Sequence, residues 1–294
     1  MKFTQVPLGP HTVDVIAGGY YDRYRMNPDL DEVAREAGIG NVDWFRRFPK
    51  RMADSGLGSM WTPNYYYRSS SLQLVFLAPL SRLRPALPVP LEPISPVPGY
   101  GMVALSFFSY PICDNDAYNE AAVAIAIRRP GSTGPHALEL ARSLRRRVNY
   151  AHVLALPVTT ELARMRGLLG YQLPKWAARI DLDLSAEAQA QVANLKGEVD
   201  LRVSAPMPVL STAPSQSHLS TVTMVNRVDG RWSQSTVQAN NLSFAQRFFP
   251  QGVKVERHGG PMSDLLDGLG ISRLIRMEVI KEAQLVLHLP VALD

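Results

Sequence analysis

The stretch "RGLLGYQLPKWAARIDL", Arg166 to Leu182, sets a single lysine, Lys175, between Pro174 and Trp176 in a run that is otherwise mostly apolar. Only six of the 31 basic residues are lysines (Lys2, Lys50, Lys175, Lys196, Lys254 and Lys281), so the chain makes its positive charge from arginine. Arginine keeps its proton at any accessible pH, whereas a desolvated lysine amine can lose it and become a nucleophile. A lysine among apolar neighbours in an arginine-using chain is therefore a candidate for amine chemistry. The competing reading is a surface lysine whose stem lies on a tryptophan ring.

Other chemistries have less footing. There is no phosphate-binding loop, and "GLGIS" and "GYG" lack the glycine spacing of a dinucleotide fingerprint. The six histidines are scattered without metal-type pairing, so neither a metal nor a cofactor is expected. "CDND", Cys113 to Asp116, puts a thiol beside acids that raise its pKa, and reads as a polar loop before a strand. No Gly-x-Ser-x-Gly motif occurs.

The elements that must position Lys175 follow from composition and periodicity. With 294 residues, 46% hydrophobic and 19% charged, the chain is globular and can bury a sizeable core. Residues 1–64 read as a helical N-terminal extension. Asn27, Pro28 and Gly38 bracket one helix, and "NVDWFRRFPKRMADSG" reads as a second, entered from Asn41. Residues 65–294 read as one β domain, because strand-like segments dominate from "SLQLVFLA" to "RLIRMEVIKEAQLVLHLP" and Asp229-Gly230 marks a hairpin turn. Helices are expected only at 134–147, 160–166, 185–195 and 261–269. Many strands with few crossover helices predict an α+β, mainly antiparallel, barrel-like body.

The net charge of +5 raises the question of nucleic acid. Its densest source, "RSLRRR", closes a predicted helix, where arginines complement the dipole and meet solvent, so no nucleic-acid partner is expected. No apolar window approaches ~18 residues, and neither a signal peptide nor a membrane partner is expected. With one cysteine and hence no intramolecular disulfide, the chain reads as cytoplasmic.

Two segments taken together resemble the acetoacetate decarboxylase family. "DAYNEAAVAI", with Tyr118 and Glu120, is similar to that family's Tyr-x-Glu strand. "GLLGYQLPKW", with Gly167, Pro174 and Lys175, is similar to its Gly-Arg-Glu-x-x-x-x-Pro-Lys-Lys segment, which carries a Schiff-base lysine. The likeness spans about residues 65–291. It implies an acetoacetate decarboxylase-like cone of β-strands with peripheral helices, usually a homo-oligomer. The family's Arg-Glu is Leu168-Leu169 here, its second lysine is Trp176, and another site glutamate aligns with Leu105.

By this resemblance Lys175 is the Schiff-base nucleophile and Glu120 the proton-transfer group. Arg68 would hold a substrate carboxylate, with Tyr118, Gln172 and Trp176 as pocket wall. Activation would come from desolvation by Leu168, Leu169, Leu173 and Trp176, since burial can lower a lysine pKa by up to ~3 to 5 units. The expected activity is a carbon–carbon lyase that forms an iminium with a small-molecule keto acid and decarboxylates it. An aldolase-dehydratase on a pyruvate-type or larger keto acid, and a non-catalytic binding protein on the same fold, stay open.

Overall fold

The computed structural model describes residues 2–36 and 38–293. The chain begins with a hairpin of β1 (Phe3–Leu8) and β2 (His11–Ile16), followed by short helices α1 (Tyr20–Tyr24) and α2 (Leu30–Ala34). A second hairpin, β3 (Arg51–Ser55) and β4 (Gly58–Thr62), leads into the body. Residues 1–64 are thus a mixed extension rather than a helical one. Helix α2 starts two residues later than Asn27-Pro28 suggests, because Asp29 caps it by accepting from the Asp31 N–H at 2.8 Å. The second expected helix is only a 3-10 turn, Phe45–Arg47, which buries Trp44 and Phe45 against Tyr65 and Tyr67 before Pro49 and β3.

The body is built on long strands: β5 (Asn64–Pro79), then helix α3 (Leu80–Ala86), β6 (Tyr100–Cys113), β7 (Tyr118–Ile127), α4 (His136–Arg146) and β8 (Val148–Ala155). After α5 (Glu161–Met165) come β9 (Arg179–Leu184), β10 (Glu187–Ala193), β11 (Val199–Pro206) and the two-residue β12 (Ser211–Thr212). The chain ends with β13 (Leu219–Val228), β14 (Arg231–Phe248), β15 (Lys254–Arg257), α6 (Pro261–Leu269), β16 (Leu274–Leu287) and β17 (Val291–Ala292). Strands β14-β13-β8-β7-β6-β5-β16 form one sheet, and pairing of β14 with β16 closes it into a barrel, which removes the exposed edges. Every neighbour in this ring is antiparallel except β8 with β13.

A second sheet, β15-β11-β10-β9, shares the main core with α3, α6 and the barrel strands. Leu72 and Leu74, Val103, Leu105 and Phe107, and Ala121, Val123 and Ile125 point into that core at every second position. The β13–β14 turn falls at Asp229-Gly230 as expected, both residues having positive φ (50° and 77°). Helix α6 spans 261–269 as expected. The helix expected over 185–195 is instead strand β10, in which Ala188, Ala190 and Val192 are buried while Glu187 and Gln189 face solvent. That period of two overrides the helical propensity of Ala, Glu and Gln.

Candidate active site

Lys175 is held in an irregular loop that the barrel uses as an extra strand. Leu156 N–H donates to Pro174 O at 3.0 Å, Val158 N–H to Trp176 O at 2.9 Å, and Ala178 N–H to Val158 O at 3.0 Å. Val158 also bridges Glu120 on β7, so the ladder Glu120–Val158–Ala177 sets the lysine loop one chain away from the glutamate. The outcome is a direct contact: Lys175 Nζ donates to Glu120 Oε2 at 2.5 Å, with the two side chains 8% and 11% exposed.

Aromatic residues enclose this pair. Tyr110 donates to Glu120 Oε1 at 3.3 Å, the Tyr66 and Tyr118 hydroxyls meet at 3.0 Å, and the Lys175 ammonium lies 5.8 Å from the Tyr118 ring centroid. Tyr66 and Tyr118 both pack on Tyr110, at 4.5 and 4.8 Å between centroids. Burial foremost, with the Glu120 charge adding to it, pushes all three phenols well above their ordinary pKa, so they serve as neutral hydrogen-bonding groups.

Lys175 borders a cavity of about 20 Å³, roughly one water in size, walled also by Asn64, Tyr66, Asn115, Tyr118, Ala163, Arg166, Gly167, Tyr171, Leu173 and Leu287. Glu120 stands behind the amine, off the cavity wall. A single π-helical turn, Arg166–Gly170, continues α5 past the lysine, a rare geometry often found at functional sites. It brings the Gly167 backbone against the lysine stem: a Cβ on Gly167 would lie 2.2 Å from Lys175 Cδ.

The same turn buries Arg166, which is 3% exposed. Its Nη1 donates to Asn64 Oδ1 at 3.1 Å, while its Nε, Asn64 Nδ2 and Asn115 Oδ1 are buried without a partner. Among the described residues no acid lies within salt-bridge distance of Arg166. A buried charge left unpaired is strongly destabilising, so this guanidinium is not explained by folding.

The structure brings Lys175, Glu120 and Tyr118 together and leaves the other expected site residues outside. Arg68 is exposed at a double register shift in β5, where Tyr66 pairs with Cys113, Arg68 with Ile112 and Ser70 with Ser109. Its Nη1 approaches Gly38 of the extension. Gln172 is exposed, with φ 48°, and clasps the β13–β14 turn through Asp229. Trp176 packs against the main core. Of the four residues expected to desolvate the lysine only Leu173 reaches the cavity, and Leu105 is buried in the core with Val123. Arg166 and Asn64 were not foreseen, since in a chain rich in arginine nothing local distinguishes a buried one.

Elsewhere the "CDND" loop is buried. Asp114 pairs with Lys50 at 2.5 Å and accepts from Tyr65 N–H and Tyr67 OH, while burial drives the Cys113 thiol well up. A larger groove of about 130 Å³ beside Trp44, Arg47 and Thr221 carries no lysine, acid or histidine. Among the described residues no group of three His, Cys, Asp or Glu side chains could hold a metal ion, and no helix is long and apolar enough to cross a membrane.

A closed mixed barrel with a four-stranded sheet packed on it defines a known architecture. The chain has the acetoacetate decarboxylase fold. An acetoacetate decarboxylase from Legionella pneumophila is 11% identical, with 88% of this chain and 98% of that one covered at a TM-score of 0.58. The enduracididine biosynthesis enzyme MppR, complexed with pyruvate, is 13% identical over 79% of this chain and 91% of its own, at a TM-score of 0.56. A further acetoacetate decarboxylase structure is 14% identical over 90% and 98%, at 0.55. No protein-family description and no curated protein sequence matches the chain.

Proposed function

We propose that this protein is a carbon–carbon lyase whose Lys175 forms a Schiff base with a keto acid. The observation that carries the reading is the 2.5 Å contact between Lys175 Nζ and Glu120 Oε2 at the edge of a cavity walled by Tyr66, Tyr118 and Tyr171. Glu120 takes a proton from the ammonium, and the free amine attacks the ketone carbon, forming the C–N bond of a carbinolamine. Glu120 returns the proton to the departing hydroxyl, water leaves, and an iminium remains.

That iminium draws electrons from the neighbouring bond. With a 3-oxo acid the C–C bond to the carboxylate breaks, carbon dioxide leaves, and the enamine is protonated and hydrolysed to ketone and free lysine. With a 2-oxo acid, loss of a proton from the next carbon gives an enamine that adds to an aldehyde and then expels water. MppR has been solved with pyruvate and with the condensation product of pyruvate and imidazole 4-carboxaldehyde, which supports the second course by analogy of fold.

The test is borohydride trapping. The protein is incubated separately with acetoacetate, pyruvate and a longer keto acid, reduced, digested, and searched for added mass. An adduct on Lys175, absent from Lys175→Arg, is expected, because arginine keeps the charge without the nucleophile. A folded protein with no adduct on Lys175 from any of the three would leave a non-catalytic binding role.

A further inference from the structure

Arg166 asks for an anion. It is 97% buried, it has no carboxylate partner among the described residues, it lines the lysine cavity, and its Nε is buried without an acceptor. Asn64 turns its Oδ1 to the guanidinium at 3.1 Å and leaves its Nδ2 unpartnered in the same cavity. Two unsatisfied donors, one of them charged, thus lie beside the lysine, with one unsatisfied acceptor, Asn115 Oδ1, on the same wall. The Lys175 stem crosses Gly167, the residue that follows Arg166, and both Lys175 and Arg166 line the one cavity.

Resting on the Schiff-base reading, we infer that Arg166 and Asn64 hold a carboxylate that survives the reaction, which makes the substrate a short 2-oxo acid and the aldol-type course the productive one. The reason is electrostatic. In decarboxylation the carboxylate charge vanishes as neutral carbon dioxide forms, so a cation fixed on it stabilises the ground state more than the transition state and slows the step. On a carboxylate that stays attached, the planar fork orients the substrate at no such penalty. Lys175 forms its C–N bond to C2 with loss of water, Glu120 takes the proton of the neighbouring C–H bond, and that bond's electron pair flows to the iminium to give the enamine, leaving the carboxylate intact.

The experiment compares rates of borohydride trapping on Lys175 with pyruvate and with acetone, which has the same carbonyl reactivity class but no carboxylate. Wild type should favour pyruvate at least tenfold, and that ratio should fall toward one in Arg166→Met and in Asn64→Asp. The second variant gives Arg166 an internal partner, so its thermal midpoint should rise while acid preference is lost. It keeps the test valid should Arg166→Met not fold. Lys175-dependent release of carbon dioxide from acetoacetate should stay at background. A pyruvate preference unchanged in both variants, or brisk decarboxylation, overturns the inference and leaves the Schiff base standing. Failure to label Lys175 with pyruvate while a longer keto acid or acetoacetate labels it overturns the inference alone, and failure with every ketone tried sinks the Schiff-base reading and this inference with it.

Discussion

Replacing Gly167 by alanine perturbs the nucleophile without touching it. Gly167 does not adopt a positive φ, so its backbone accepts a side chain, and the nearest obstacles to a new Cβ are Lys175 Cδ at 2.2 Å, Cε at 2.4 Å and Cγ at 3.0 Å. Ordinary contact begins near 3.4 Å, so the lysine stem must move by about 1.2 Å. A shift of that size breaks the 2.5 Å contact with Glu120 and misplaces the amine. Misplacement by about 1 Å can lower a rate about 100-fold, equivalent to about 2.7 kcal/mol of barrier. Alanine reduces the entropy of the unfolded chain, but the shift also parts a buried ion pair, so the melt should show a net loss of more than about 1 kcal/mol. The assay is the rate of borohydride trapping of a keto acid on Lys175, beside a thermal melt. A folded Gly167→Ala protein that traps within threefold of wild type would refute the claim that lysine placement over Gly167 governs its reactivity.

Gly268→Ala is the matching control: it is exposed in α6 with nothing within 4 Å of a new Cβ, so a melt should show about 0.5 kcal/mol of stabilisation and trapping should not change. Lys50→Met should cost about 3 to 5 kcal/mol in denaturant unfolding, because it leaves the buried Asp114 carboxylate, otherwise paired at 2.5 Å, without its cation. A loss below about 1 kcal/mol would mean that water reaches Asp114. Asp116 is buried with one carboxylate oxygen unpartnered, and burial raises its pKa above the ordinary 3.8. With the folded value above the unfolded one, the stability this group contributes is full below pH 3.8 and is lost as pH rises through the folded value. Asp116→Asn keeps an acceptor for Tyr21 N–H and suits the φ of 61°, so it should raise Tm at pH 7 by about 2 °C and flatten the fall in stability above pH 4. An unchanged pH profile would remove Asp116 from that account.

Much of the architecture was legible because its causes are local. Alternation of apolar with polar or small residues marked most of the barrel strands, Asp229-Gly230 marked their turn, and the stretch from Pro261 to Leu269 marked α6. The errors share one origin. "AEAQAQV" suits a helix by propensity and became β10 because β9 and β11 offered it an apolar face, and the extension formed hairpins for the same reason. Within the site, Lys175 stood out by residue type against its surroundings, and Glu120 and Tyr118 only through the resemblance of "DAYNEAAVAI" to a family's Tyr-x-Glu strand.

The sequence alone determined the chemistry on offer: one amine in an apolar loop, a glutamate on a strand, and a surplus of arginine. Which arginine lines the cavity of that amine was decided by tertiary structure. Arg68 is turned to solvent by register shifts in β5, and Arg166 is carried inward by a π-helical turn that follows α5. The first depends on a hydrogen-bond ladder between strands distant along the chain, whose register leaves no mark in the residues it moves, and the second on a local π-helical turn that the residue types of "RGLLG" do not mark.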